Sequence, residues 1–240
     1  MYQALEPDKI VSTIETLGKR ISERFPESGL SRVAGEVFAV SRRTAAQAEK
    51  LSKPYPWLRV LSGAALLIGV ISQIVLIKSV HVKATDLTLV DFTQGLEAAV
   101  NLLVLISAAI WFLLTLEERL KRRDALAALH ELRSLAHVID MHQLTKDPTI
   151  VLQAHMRTSA SPVRAMSEFE LARYLDYCAE MLALTGKLAA LYGAHARDPV
   201  VIDAVNEIEN LTANLGRKIW QKIMIISQLD ESRAGVANTA

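Results

Sequence analysis

Apolar residues recur every three or four positions through the first fifty residues. Ile10, Ile14, Leu17, Ile21 and Phe25 form one stripe, closed by Pro26, and Ser28-Gly29 supplies a turn. Leu30, Val33, Val37, Val40, Thr44, Ala48 and Leu51 form the next, closed by Pro54 and Pro56. That spacing puts each set on one face of an α-helix, so residues 1–56 are predicted to fold as a helical hairpin. The pattern then changes. Leu61 to Ile77 carries no charge, and Leu58 and Val60 extend it around Arg59, whose long stem can carry its charge to an interface. Ala98 to Leu116 is also uncharged. Each run approaches the ~20 residues that cross a hydrocarbon core of ~30 Å. Together they predict a transmembrane hairpin over residues 57–116, with a short loop at about 79–95.

After the second run no helix breaker appears before Asp147-Pro148, so that span is expected to continue as one helix to about Leu144. Its polar half repeats Ala125, Leu129, Leu132, Ala136 and Ile139 at 4-3-4-3 spacing, a short coiled-coil-like seam. This extension and an irregular connector make up residues 117–166. Ser167 and Glu170 then match a capping box, opening a helix through Leu171, Tyr174, Cys178, Met181, Leu188 and Tyr192. Asp198-Pro199 opens a last helix that buries Val201, Val205, Ile208, Leu211, Leu215, Ile219, Ile223 and Ile226. Residues 167–229 are therefore read as a C-terminal helical hairpin and 230–240 as a loose tail.

Composition sharpens the membrane reading. Of 240 residues, 51% are hydrophobic and 22% charged, with a mean hydropathy of +0.23. Such apolar excess asks for a membrane or an unusually large core. A soluble bundle would have to cover both apolar runs with helices that are themselves largely polar. Near-balanced charge, 27 basic against 26 acidic residues, and 5% aromatics leave neither a basic face nor a stacking platform, so no nucleic-acid partner is expected. Cys178 is the single cysteine, which excludes an intrachain disulfide and a Cys-based zinc knuckle. The opening MYQALEPDKI lacks a basic-then-apolar pattern, so no secretory signal is expected there.

Basic residues set the expected orientation. Arg42, Arg43, Lys50, Lys53 and Arg59 precede the first span, and Arg119, Lys121, Arg122 and Arg123 follow the second. The connecting loop holds Lys78 and Lys83 against Asp86, Asp91 and Glu97. Positive residues favour the inside, so both termini are expected in the cytoplasm.

Few residues carry candidate chemistry. Ser62, Ala65, Gly69 and Ser72 make a small-residue stripe on the first span, which predicts close packing against the second through the face of Asn101 and Ala108. Gln73 and Asn101 are the polar groups within the spans. They are read as interhelical hydrogen-bonding groups; the sharper alternative makes them line an aqueous path, with Glu97 at its outer mouth. His130, Arg133, His137 and Asp140 form a polar helix stripe at 3-4-3 spacing. His137 and Asp140, one turn apart, are the candidate ligands for a divalent metal, although Arg133 would oppose a cation there. A hydrogen-bonded polar layer between packed helices is the preferred reading of this stripe. His142 stands outside it, near a helix end where an imidazolium suits the dipole.

Catalytic motifs fail on inspection. His130-Glu131 begins a metalloprotease pattern, but Ser134 occupies the second His position. Thr185-Gly186-Lys187 echoes a phosphate loop, with Met181 in place of its first Gly and Leu188 in place of its Ser or Thr. No catalytic residue and no cofactor are assigned.

Four segments, RISERFPESGL, HVIDMHQLTKDP, RYLDYCAEMLALTGKLAALY and KIWQKI, together resemble a group of uncharacterised bacterial two-span helical membrane proteins. The resemblance spans most of the chain. It implies a bacterial inner membrane and supplies no activity, cofactor or site residue. The chain is thus read as an all-α integral membrane protein, a two-helix transmembrane hairpin carrying cytoplasmic helical hairpins. The expected function is a self-associating membrane-anchored scaffold, whose partners are the lipid bilayer, further copies in a homo-oligomer, and a cytoplasmic protein. The alternative is an oligomeric ion channel or pore. A metal-dependent membrane enzyme, resting on His137 and Asp140 alone, is the third option.

Overall fold

The computed structural model describes residues 5–79, 89–148, 166–194, 196 and 198–237, apart from the side chains of 52, 73, 76–79, 89, 91, 92, 98, 99, 114 and 230–237. Every regular element among the described residues is an α-helix: α1 Pro7–Arg24, α2 Gly29–Ser52, α3 Pro56–Ser79, α4 Leu89–Leu144, α5 Glu168–Gly193 and α6 Pro199–Ala237. The chain divides into two units. One comprises residues 1–52 with 124–240, the other residues 53–123.

In the first unit the periodic stripes become one core. Ile10, Ile14, Leu17 and Ile21 of α1 are buried with Leu30, Val33, Val37, Val40 and Ala48 of α2. Pro7 sits in the first turn of α1, where its missing N–H would have no intrahelical partner anyway. The turn out of α1 is tight. Phe25 N–H donates to Ile21 O at 2.8 Å, and Glu27 adopts a left-handed φ of 56°. Ser28 Oγ then accepts the Ser31 N–H at 3.1 Å, capping the start of α2. The expected seam of α4, Ala125, Leu129, Leu132, Ala136 and Ile139, is buried in the same core.

α5 is the central helix, buried on nearly every side from Leu171 to Tyr192. Its start is the expected capping box: Glu170 N–H donates to Ser167 Oγ at 3.2 Å, and Ser167 N–H donates back to Glu170 Oε2 at 2.8 Å. α1, α2 and α6 all pack against it. Asp198 Oδ1 accepts the N–H groups of Val200 and Val201, fixing the start of α6. The α5–α6 crossing is close, because a Cβ placed on Gly186 would lie 2.8 Å from Thr212 Oγ1. Ion pairs tie the outer faces together: Arg20–Glu180, Arg43–Glu131 and Arg133–Glu207. All three are solvent-exposed, so each contributes at most about 1 kcal/mol and acts mainly on register.

Two boundaries differ from expectation. α4 begins at Leu89, within the expected loop, because Val90 to Glu97 contains only Gly95 as an interruption. One Gly costs a helix about 1 kcal/mol, too little to stop it. α6 runs to Ala237 instead of ending near 229, since DESRAGVA again offers one Gly and no Pro. Within the expected irregular connector, residues 149–165 lie outside the described residues, as do 80–88 of the loop.

In the second unit, α3 and the first half of α4 follow the two uncharged runs. Two stretches are long and apolar enough to cross a bilayer, one within Gly29–Ser72 and one within Thr93–Leu144.

Candidate functional site

The apolar helices of the second unit present their side chains outward. Leu67, Ile68, Leu103, Leu105 and Phe112 are exposed, and Trp111 is 70% exposed. The core helix of a soluble protein would be mostly buried, yet the most apolar windows here are 6% and 0% buried. Each large aliphatic side chain left in water forgoes roughly 1.5–3 kcal/mol of burial. Among the described residues of this unit, these surfaces are not covered by other side chains.

Among the described residues nothing is seated on the small-residue stripe at Gly69, which differs from the packing expected between the two spans. Ser62 and Gly69 are half-buried, Ala65, Ser72 and Ala108 are exposed, and a Cβ added at Gly69 would meet nothing within 4 Å. Ser72 instead turns its hydroxyl to its own helix, donating to Ile68 O at 2.8 Å. Asn101 and Glu97 are exposed as well, four residues apart and so on one face of α4. The side chain of Gln73 lies outside the described residues.

Polar side chains join the two helices where the apolar runs end. Glu117 directly follows Leu116. Its carboxylate accepts the Tyr55 N–H at 3.2 Å and the Lys121 ammonium at 2.9 Å, with Arg59 Nε 3.6 Å away. The Tyr55 N–H lies just before α3, where the first N–H groups have no acceptor within that helix. Lys121 also lies 5.4 Å from the centre of the Tyr55 ring, in cation–π range. Trp57 remains 60% exposed beside this clasp in sequence. Sequence reading carried the charge of Arg59 to an interface but had no means of pairing it, or Tyr55, with Glu117, which lies some sixty residues away.

In the first unit the expected polar stripe is split. Arg133 reaches Glu207 of α6 at 3.1 Å. Asp140 accepts from Gln143 Nε2 at 2.5 Å. His130 and His137 are exposed. Among the described residues no three His, Cys, Asp or Glu side chains converge as a metal set, so His137 and Asp140 gain no further ligand of those types there.

A different polar centre forms around the C-terminal turn of α4. Gln143 is 1% exposed, and its backbone carbonyl and Oε1 accept from the Lys222 ammonium of α6 at 3.0 and 2.7 Å. Lys222 thus caps α4 with a charge that the helix C-terminus favours. Desolvation lowers its pKa, partly offset by Asp147 and Asp140. Lys146, also buried, places its ammonium 4.5 Å from the centre of the Tyr174 ring. His142 packs tightly over Gly29, where a Cβ would lie 2.6 Å from the imidazole, and its Nδ1 is 3.4 Å from the Tyr174 hydroxyl. Burial, then Arg32 and Lys146, push the His142 pKa down, so its neutral form is favoured instead of the imidazolium expected at this helix end.

Cys178 is buried in the same region. Loss of solvent pushes its thiol up to about 12 despite the neighbouring lysines, so it keeps its proton and is a poor nucleophile. Neither Lys146 nor Lys222 was singled out from sequence. The available signal was the place of Lys222 between Ile219 and Ile226 on the buried stripe of α6, where a lysine needs a partner. No protein-family model, curated protein or solved structure matches this chain.

Proposed function

We propose that this protein is a membrane-anchored helical scaffold. In this reading α3 and the apolar half of α4 cross a bilayer as a hairpin. The helical unit built from α1, α2, the polar half of α4, α5 and α6 is its cytoplasmic interaction module, with both termini on that side. One observation carries the reading: the long apolar helices are almost wholly unburied, while the other unit closes an apolar core of its own. The basic flanks argue for the orientation, and the resemblance noted above argues for a bacterial inner membrane.

Self-association follows from the polar and small groups left uncovered. Asn101 is exposed in an otherwise apolar stretch, and in hydrocarbon its amide is stabilised by a hydrogen bond from another helix. A second copy would supply that helix. The test is the mass of the detergent-solubilised protein by light scattering, with Asn101→Leu alongside. A dimer or larger assembly weakened by the substitution supports the scaffold. A strict monomer at every concentration, together with pull-downs that recover no specific partner, would sink it.

A second reading has its own observation. Glu97 and Asn101 share an exposed face of α4, which in an oligomer could line a pore together with Gln73. Reconstituted protein should then conduct ions, and Glu97→Gln should change their selectivity. No flux above empty liposomes, across several ions and potentials, removes the channel reading and leaves the scaffold standing.

A further inference from the structure

His142 sits where α2, α4 and α5 meet. It lies in the last turn of α4, and its imidazole fills the space that a side chain at Gly29, the first residue of α2, would need. A Cβ there would lie 2.6 Å from Cε1 and 3.3 Å from Nδ1. Tyr174 of α5 completes the joint. Its hydroxyl is 3.4 Å from His142 Nδ1, and its ring packs edge-on against Phe25, 5.5 Å between centres. The corner between α1 and α2 is thus seated on one imidazole and one phenol. The far end of the same hairpin is held by other bonds: the Tyr192 hydroxyl donates to Gln47 Oε1 at 3.1 Å, and Arg43 pairs with Glu131.

The charges around the imidazole disfavour a further positive one. Arg32, three residues into α2, and Lys146, just past α4, both oppose its protonation. The carboxylates nearest in sequence face other partners or water. Asp140 accepts from Gln143 and acts with Asp147 on Lys222, while Glu27 of the corner is exposed. Lys222 already supplies the cation that the C-terminus of α4 favours. A protonated imidazole also keeps no lone pair to accept the Tyr174 hydroxyl.

We propose that His142 is an acid-released latch for the α1–α2 corner. With a neutral imidazole it seats Gly29 against α4 and Phe25 against α5. Protonated, it lets the corner lift while the Gln47 end stays docked. Opening uncovers Phe25, Leu30 and Tyr174, which the closed form buries. The latch belongs to the helical unit alone and does not depend on whether α3 and α4 cross a bilayer.

In the open corner the imidazole meets water and takes up its proton near 6.5, whereas the closed corner holds that pKa lower. Closure is therefore strongest above pH 6.5 and weakens as pH falls below it. The open fraction rises by up to about tenfold per pH unit, the limit for one proton. Hydrogen exchange of the full-length protein in detergent tests this at pH 7.5 and 5.5, with rates corrected for intrinsic exchange. An ionic strength of ~10 mM keeps the Debye length near about 30 Å. Amides of Arg20–Phe25 and Arg32–Val37 should open severalfold more often at pH 5.5. Their exchange should barely respond to ~1 M urea, because a local opening exposes little surface. His142→Gln should remove the pH response. Arg32 is exposed, so Arg32→Gln leaves the fold in place and should shrink that response. No pH response, a response undiminished in both variants, or one that carries the urea dependence of global unfolding would each overturn the latch.

Discussion

Replacing Gly186 with Ala should destabilise the helical unit, and should do the opposite once Thr212 is removed. An added Cβ would lie 2.8 Å from Thr212 Oγ1 but 3.8 Å from Thr212 Cβ, so the conflict is with the hydroxyl alone. That hydroxyl is not free to turn away. It is buried and donates to Ile208 O at 3.0 Å and to Glu209 O at 3.1 Å. Forcing a methyl into a packed crossing costs about 1–3 kcal/mol, against a gain of about 1 kcal/mol from replacing Gly by Ala within a helix. The net expectation is a loss of roughly 1 kcal/mol. In a Thr212→Ala background the nearest atom retreats to ordinary contact distance, and Gly186→Ala should stabilise by up to about 1 kcal/mol. The two mutations should therefore couple by roughly 2 kcal/mol, within the usual range for touching residues. Urea unfolding in detergent, read by Trp220 fluorescence with Trp57 and Trp111 changed to Phe, reports on this unit. The same sign and size of effect in both backgrounds would refute the close crossing.

The depressed His142 pKa gives a pH dependence whose sign is fixed: the unfolded imidazole takes up its proton near 6.5 and the folded one only at lower pH. Stability of the helical unit should therefore be full above pH 6.5 and fall as pH drops below it, and His142→Gln should flatten the profile in urea titrations; stability that rises on acidification would contradict the buried neutral imidazole. Lys222→Met should cost on the order of 1–3 kcal/mol by removing the donor to the buried Gln143 Oε1 and one of the two donors to its carbonyl, which keeps the Lys146 N–H. Adding Gln143→Leu should return part of that loss, and strictly additive effects would argue against the contact. Cys178 should resist maleimide at pH 8 in the folded protein and react fully in urea; labelling at the rate of a free thiol without denaturant would exclude its burial.

Local signals carried most of the helical layout. The Ile10–Phe25 and Leu30–Leu51 stripes, the Ser167–Glu170 box and the Asp198 cap act over a few residues, and the structure uses each of them. Gly186 illustrates the limit. Within Thr185-Gly186-Lys187 it invited comparison with a phosphate loop, whereas its structural role is to let Thr212 approach, a fact set by a partner 26 residues away. The Glu117 clasp and the Lys222–Gln143 contact likewise join residues far apart in sequence, and no periodicity announces such pairs. The small-residue stripe around Gly69 shows the converse. Its composition signals that a backbone can approach, but not which one, and among the described residues nothing lies within 4 Å of a Cβ placed on Gly69.

The most direct measurement of the central claim is topology. Reporter fusions after Ser52 and after Ala240 should both mark the cytoplasm, while an insertion near Thr88 should mark the opposite side. Changing Arg119, Lys121, Arg122 and Arg123 together to Gln should weaken that bias without inverting it, because Arg42, Arg43, Lys50, Lys53 and Arg59 still flank the first span. Termini on opposite sides would mean that only one apolar helix crosses. Equal accessibility at all three positions, with the protein released by carbonate, would mean that neither does.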